Sequence, residues 1–352
     1  MPAIPPRATV LVTGANGYIG VWAVLALLSR GYSVRGTVRS PNKVGLLSEI
    51  VFRKAPGAKA RFTGHVVPDI TAPGAFHEAV KDVDGVIHLA SPTSIGIVDP
   101  KDAIEPAVRG TTSILASVLG EPRIKRVVVA SSISAIASAS VAPTRVYTED
   151  NWNDQAVRIV DEQGANAPGL VKYEASKTLA ERAAWAFLEM HKSEAKFDLV
   201  VVNPSLVYGP VADDTLTSPD SLPITPGMVW NNLFARPAPR EREPKVFNSV
   251  DVRDIKDIMV RALEIEVASG QRIIANSQVS TWDEWVLISQ ELNLLRRLER
   301  VDSEVAKRRP EHLFFSNEKA KQLFGMEMRT IHDTMKDTVA DFKSRGWLTH
   351  LE

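Results

Sequence analysis

The chain has 352 residues, 42 acidic and 42 basic side chains, 44% hydrophobic content and no cysteine. That length and apolar content suffice for one large α/β domain with a smaller lobe, and a net charge of zero argues against a nucleic-acid partner, which needs a basic stripe. The missing thiols exclude disulfides and thiolate catalysis. The apolar run at 21–28 is too short for a membrane span, and MPAIPPRATV lacks the basic-then-apolar form of a signal peptide. A cytoplasmic protein with no membrane attachment is expected.

Residues 8–12 read as the first strand, and TGANGYIG follows at 13–20, placing Gly14, Gly17 and Gly20 in a G-x-x-G-x-x-G spacing. A helical stretch, 18–29, starts inside that turn. Three glycines alone mark only a loop. Between a strand and a helix they let the backbone turn tightly and receive a pyrophosphate on the unpaired N–H groups of the helix start. The second strand, 32–38, ends without the carboxylate that would accept from a ribose 2′-hydroxyl; Arg39 stands there, with Lys43 close behind. A guanidinium suits a 2′-phosphate, so NADPH/NADP is expected over NADH, the plainer alternative being a solvated basic loop.

Further strand-like runs at 60–67, 85–90, 126–131, 197–203 and 272–276 alternate with helical patterns at 73–80, 102–119 and 168–191. The runs are rich in Val and Ile on both faces, as in a sheet covered by helices on two sides. The expected fold class is α/β, a Rossmann-type doubly wound parallel sheet. Past residue 204 the sequence turns rich in Pro, Ser, Asp and Asn, with a short helix at 228–234; helices return at 281–295, 317–324 and 330–344. The expected organisation is a dinucleotide-binding domain over 1–204 and about 246–280, with a discontinuous substrate-binding lobe over about 205–245 and 281–352.

Within VKYEASKTLAERAAW, Tyr173 and Lys177 are four residues apart and share a helix face. A phenol is a poor acid at neutral pH, and a nearby ammonium favours the phenolate, so the pair is a candidate proton donor tuned for carbonyl reduction. Tyr and Lys at this spacing also occur on ordinary exposed helices. Ser131 and Ser132 end the fifth strand, at the sheet edge where ligands of open α/β folds bind, and a hydroxyl there can polarise a carbonyl. A serine pair at a strand end also serves as a turn or cap. The three elements together favour catalysis.

These residues resemble the extended short-chain dehydrogenase/reductase family, in the branch of dihydroflavonol reductase and the fungal NADPH-dependent aldehyde and ketone (carbonyl) reductases. TGANGYIG, RGTVRS, HLASP, RVVVASS, YEASKTLAERAAWAF, VNPSLVYGP and VDVRD carry the resemblance over nearly the whole chain. It implies Ser132 as the carbonyl-binding hydroxyl, Tyr173 as proton donor and Lys177 as its electrostatic partner. For the cofactor it implies Gly14, Asn16, Gly17, Tyr18, Ile19, Gly20, Arg39, Lys43, Asp69, Ile70, Ala90, Ser91, Pro204 and Leu206, with Tyr173 and Lys177, and Asn203 beside the nicotinamide pocket. Ile133, Val171, Leu206 and Trp230 are the expected substrate wall with Ser132, although core packing accounts for these four equally well. The stretch Glu105-Pro106-Ala107-Val108-Arg109-Gly110 departs from the compact enzymes, which place a proton-relay Asn there.

The expected activity is NADPH-dependent reduction of an aldehyde or ketone to an alcohol, chiral where the ketone is prochiral. The substrate is a small carbonyl compound and the enzyme a monomer or homodimer. A nucleotide-sugar epimerase or dehydratase of the same superfamily, and a non-catalytic NADP-sensing regulator, are the alternatives. His65, His77 and His88 fall on separate elements without metal-ligand spacing, so no metal is expected. Trp152, Trp185, Trp282 and Trp285 read as packing anchors, and the basic runs at 296–300 and 307–309 as solvated helix faces.

Overall fold

The computed structural model describes residues 4–91, 98–138, 145–235, 246–292, 301–306 and 313–349. The first half runs β1 (Thr9–Thr13), α1 (Tyr18–Ser29), β2 (Ser33–Val38), α2 (Pro41–Lys54), β3 (Phe62–Val66), α3 (His77–Val80), β4 (Gly85–His88), α4 (Lys101–Leu119) and β5 (Arg126–Ala130). Then come β6 (Val146–Tyr147), α5 (Asp154–Gln163), α6 (Gly169–Met190), β7 (Asp198–Pro204), β8 (Leu206–Tyr208) and α7 (Ile224–Val229). The chain continues with β9 (Val246–Asp251), α8 (Val252–Glu264), β10 (Arg272–Ala275), β11 (Gln278–Thr281) and α9 (Trp282–Glu291). Last are α10 (Ser303–Ala306), β12 (Phe314–Phe315), α11 (Glu318–Phe324) and α12 (Ile331–Ser344).

All seven expected strand runs pair in one parallel sheet of order β10-β7-β5-β4-β1-β2-β3. Successive side chains point to opposite faces, and both faces are apolar. Val10, Val12, Val128, Val200 and Val202 pack with Leu27, Ile50 and Ile258, from α1, α2 and α8. Their neighbours Leu11, Val127, Val129, Leu199 and Val201 pack on the other side with Val80, Ile114 and Ala184, from α3, α4 and α6. At about 1.5–3 kcal/mol for each fully buried aliphatic side chain, this two-sided burial is the main force holding the sheet between its helices. From β1 the order runs one way to β2 and the other way to β4, so a crevice opens between their carboxyl ends.

A second, three-stranded sheet pairs β8 parallel with β9 and β9 antiparallel with β11. This refines the organisation read from sequence. Within 246–280, α8 and β10 stay with the large sheet, whereas β9 and β11 leave it to pair with β8. Against the small sheet stands an aromatic cluster: Tyr208, Phe247, Trp282 and Trp285, with Phe247 and Trp282 centroids 4.6 Å apart. Helices α2, α5, α8 and the short α10 add to those expected. The helix read at 73–80 shortens to α3, because Gly74 takes a left-handed φ of +69° just before it. The helix read at 281–295 ends at Glu291, its last residues and the two basic runs lying outside the described residues.

The two sheets are latched. Tyr18 Oη donates to the Gly209 carbonyl at 2.7 Å, and Trp22 Nε1, one turn along α1, donates to the Pro210 carbonyl at 3.0 Å. Among the described residues, no helix is long and apolar enough to cross a membrane.

Candidate active site

The glycine turn is closed on itself. Gly14 has a φ of +63°, and its carbonyl accepts from Gly17 N at 2.9 Å. A β-carbon on Gly20 would lie 2.3 Å from the Gly14 carbonyl oxygen, and one on Gly14 would lie 3.0 Å from Ala90 N. Only glycine fits both places. Asn16, Tyr18 and Ile19 are half-buried around the turn and Gly17 is exposed. Gly17 caps α1 with no side-chain bond, so the first N–H groups of the helix are left to a ligand.

Thr13 pins this turn to the end of β4. Its Oγ1 accepts from Leu89 N and Ala90 N, both at 3.1 Å, which leaves its own hydrogen to donate to His88 Nδ1 at 2.9 Å. The His88 ring is therefore the neutral Nε2–H tautomer, and burial, with Lys177 nearby, lowers its pKa to about 3. Its Nε2 has no hydrogen-bond partner among the described residues.

At the other side of the crevice Arg39 and Lys43 are exposed at the start of α2. Asp69 lies within electrostatic reach of Arg39. Its carboxyl is held below the ordinary value first by the Thr71 hydroxyl and N–H, then by Arg109 and Arg39. Ile70 is wedged onto α4 where Gly110 has no side chain; a β-carbon there would lie 2.8 Å from Ile70 Cδ1. These residues fit a dinucleotide with a 2′-phosphate: a cradle that a β-carbon would fill, free helix N–H groups and an exposed guanidinium, with no carboxylate at the end of β2 itself.

The catalytic candidates converge on the carboxyl ends of β4 and β5. Ser132 follows β5 with extended backbone, its Oγ accepting from Ser134 N at 3.1 Å and lying close enough to the Tyr173 phenol to lower its pKa. Lys177 is buried one turn beyond Tyr173, 5.7 Å from its ring centroid, and donates to Ser91 Oγ at 2.9 Å. Burial lowers the Lys177 pKa to about 8.

The expected lowering of the phenol pKa is not what this arrangement delivers. Burial raises Tyr173, the Ser132 hydrogen bond opposes it and Glu174 adds to the rise. The physical reason is that Lys177 points to Ser91 and is itself costly to charge, so desolvation outweighs its field. A phenol held protonated is nonetheless the state a proton donor requires.

Ala90, Ser91, Pro204 and Leu206 line the same edge, and Ile133 lies in the turn after Ser132. Two expected wall residues do not join it. Val171 is 2% exposed and packs with Ala156, Val160 and Ala175 between α5 and α6, because it faces away from Tyr173 on the helix. Trp230 stacks edge-on against Phe342 and Trp347, at 5.7 and 6.2 Å, as part of the aromatic cluster.

Sequence reasoning gave no role to Thr13, Glu181 or Arg272, and weighed His88 only as a metal ligand. For Glu181 a signal existed, since positions 173, 177 and 181 recur every four residues along one helical stripe. The ion pairs of Arg253 with Asp251 and Asp337, and of Arg329 with Asp254, are structural, the Asp337 pair tying α8 to α12 and the Arg329 pair tying α8 to residue 329.

Fold and site together define a dinucleotide-dependent enzyme with a Ser–Tyr–Lys constellation at the switch point of a doubly wound sheet. The chain belongs to the NAD dependent epimerase/dehydratase family, whose profile matches residues 10–225. Within it, the chain is 34% identical to a cinnamoyl-CoA reductase of Medicago truncatula, over 96% of each chain. It is 30% identical to an NADPH-dependent methylglyoxal reductase of Saccharomyces cerevisiae, over 94% of this chain and 97% of that one. The solved structure of yeast methylglyoxal/isovaleraldehyde reductase Gre2 complexed with NADPH superposes with a TM-score of 0.84 at 29% identity, covering 96% of this chain and 99% of the other.

Proposed function

We propose that the chain is an NADPH-dependent reductase that converts a small aldehyde or ketone to the alcohol, with Tyr173 as proton donor. The observation that carries this reading is the convergence of Ser132, Tyr173 and Lys177 on one edge of the sheet beside the glycine turn. The relatives' activities and the NADPH held by the yeast enzyme support it.

Arg39 and Lys43 would hold the 2′-phosphate of NADPH and the N–H groups at the start of α1 its pyrophosphate, and the cofactor so held would supply the hydride for the carbonyl carbon. Ser132 Oγ donates to the substrate carbonyl oxygen and fixes its direction. Tyr173 Oη delivers its proton to that oxygen as negative charge develops there. Lys177, released from Ser91, steadies the phenolate left behind and leads a proton back to it. Ser132, Ile133 and Leu206 form the substrate wall. A fixed wall delivers hydride to one face, so a prochiral ketone gives one alcohol enantiomer. The enzyme works in the cytoplasm as a monomer or homodimer, which fractionation and sedimentation check.

The test is NADPH oxidation with a panel of aldehydes and activated ketones, with chiral analysis of the products. Wild-type rates in Tyr173→Phe, or NADPH binding without turnover of any carbonyl compound, count against the reading.

A further inference from the structure

Tyr173, Lys177 and Glu181 form a stripe on α6, and the third member carries no role so far. Its side chain is fully buried. Oε1 of Glu181 accepts from Arg272 Nε on β10, and Oε2 accepts from Ser131 Oγ at 2.6 Å and from Asn203 Nδ2 at 2.7 Å. Asn203 Nδ2 gives its other hydrogen to the Ser132 carbonyl at 3.1 Å. One carboxylate thus joins the carboxyl ends of β5 and β7 to the first residue of β10 at the point where Ser132 leaves the sheet.

Arg272 carries the bracket to the far side of the same turn. Its Nη1 donates to the carbonyls of Glu149 and Asn151 at 2.5 and 2.7 Å, and its guanidinium lies 3.7 Å from the Trp152 ring centroid. Asn153 then donates Nδ2 to the Ser134 carbonyl at 2.8 Å and N to the Ala135 carbonyl at 3.1 Å. The turn that carries the Ser132 hydroxyl is held from both sides.

A buried ion pair is weak evidence for stability, since its desolvation cost rivals its attraction. What this pair delivers is position. We propose that Glu181 is a positioning residue for the carbonyl reduction: through Ser131 and Asn203 it registers the Ser132 hydroxyl against the Tyr173 phenol. The inference rests on the reading of Ser132 and Tyr173 given above. A carboxylate accepts from all three donors at once, whereas the amide of glutamine turns an NH2 group toward at least one of them. The turn then loosens, and a displacement of about 1 Å at a reacting group costs about a hundredfold in rate.

The test is a double-mutant cycle on the intact chain, with NADPH and an aldehyde that the wild type reduces. Glu181→Gln is expected to lower kcat roughly ten- to hundredfold, with KM for NADPH within about twofold of wild type. In a Ser132→Ala background the same change is expected to do almost nothing, because the hydroxyl it registers is gone. Equal losses in both backgrounds overturn the proposal, as does a wild-type kcat in Glu181→Gln. Should Glu181→Gln not fold, Asn203→Ala, which leaves the Glu181–Arg272 pair intact, goes through the same cycle with the same expectation. Tyr173→Phe assayed in parallel separates the failures. Full activity there removes the reading of the site, whereas an inactive Tyr173→Phe beside an additive cycle removes only the role of Glu181.

Discussion

Two buried arginine–carboxylate pairs sit at opposite ends of the same parallel sheet, and they are built to different plans. At the amino end, Arg126 donates through Nε and Nη2 to Asp198, at 2.7 and 2.9 Å. Its remaining hydrogens go to the carbonyls of Ala262, Ile265 and Glu266, where α8 ends. Every donor of that guanidinium is taken, and none of its partners leads to a site. At the carboxyl end, Arg272 leaves Nη2 without a partner among the described residues, and its partner Glu181 reaches on to Ser131 and Asn203. The first pair closes a piece of structure. The second is open, and passes position to Ser132.

The comparison breaks most directly at the chemistry it serves. Tyr173→Phe is expected to cut kcat by about 10²- to 10⁴-fold without lowering thermal stability. Stopped-flow rates and a melting curve on one preparation read both. A matched pair of substitutions sharpens it next. Arg126→Met strands Asp198 without its cation and is expected to cost about 3–5 kcal/mol of stability while the folded fraction keeps its kcat; Arg272→Met is expected to lower both. Urea unfolding with rates per folded enzyme distinguishes them, and equal behaviour at both ends dissolves the contrast.

A third charge at the carboxyl end gives a pH signature. Burial lowers Lys177 to about 8, so between about 8 and its ordinary 10.5 the unfolded chain holds a proton that the folded chain has released. Stability therefore rises with pH across that window, and below it the folded chain bears the full cost of the buried ammonium. Lys177→Met is expected to stabilise the cofactor-free protein near neutral pH by up to about 3 kcal/mol, the gain fading toward the upper end of the window. Melting temperatures across that range check it, and a gap independent of pH refutes it. The smallest effect lies at the rim: Arg39→Ala is expected to raise KM for NADPH about tenfold, leaving kcat and the KM for NADH nearly unchanged.

Much of this was legible because the signals are local. The seven strands of the large sheet are short runs, mostly Val- and Ile-rich although β2 (SVRGTV) and β3 (FTGHV) include polar residues, and TGANGYIG and Tyr173 with Lys177 are read within a few residues. The small sheet was not legible. VFNSVD, which becomes β9, mixes polar and apolar positions and is stabilised by pairing with β8 and β11, some 30–40 residues away in the chain. Helix α2 escaped notice because only Leu47, Ile50 and Val51 are buried among its residues. Arg272 could not be linked to Glu181 from sequence, since 91 positions separate them and only the fold brings the two together. Val171 failed as a wall residue for a similar reason: the partner that buries it, α5, had not been foreseen.

The latch between α1 and the second sheet bears on how the chain is born. Tyr18 and Trp22 donate to carbonyls 191 and 188 positions downstream. At roughly 5–20 residues added per second, a ribosome needs about ten to forty seconds to supply those acceptors. The nucleotide cradle thus emerges well before the segment that secures it, and contacts so distant in sequence slow the final closure. A nascent chain halted before Gly209 holds both aromatic donors without their acceptors.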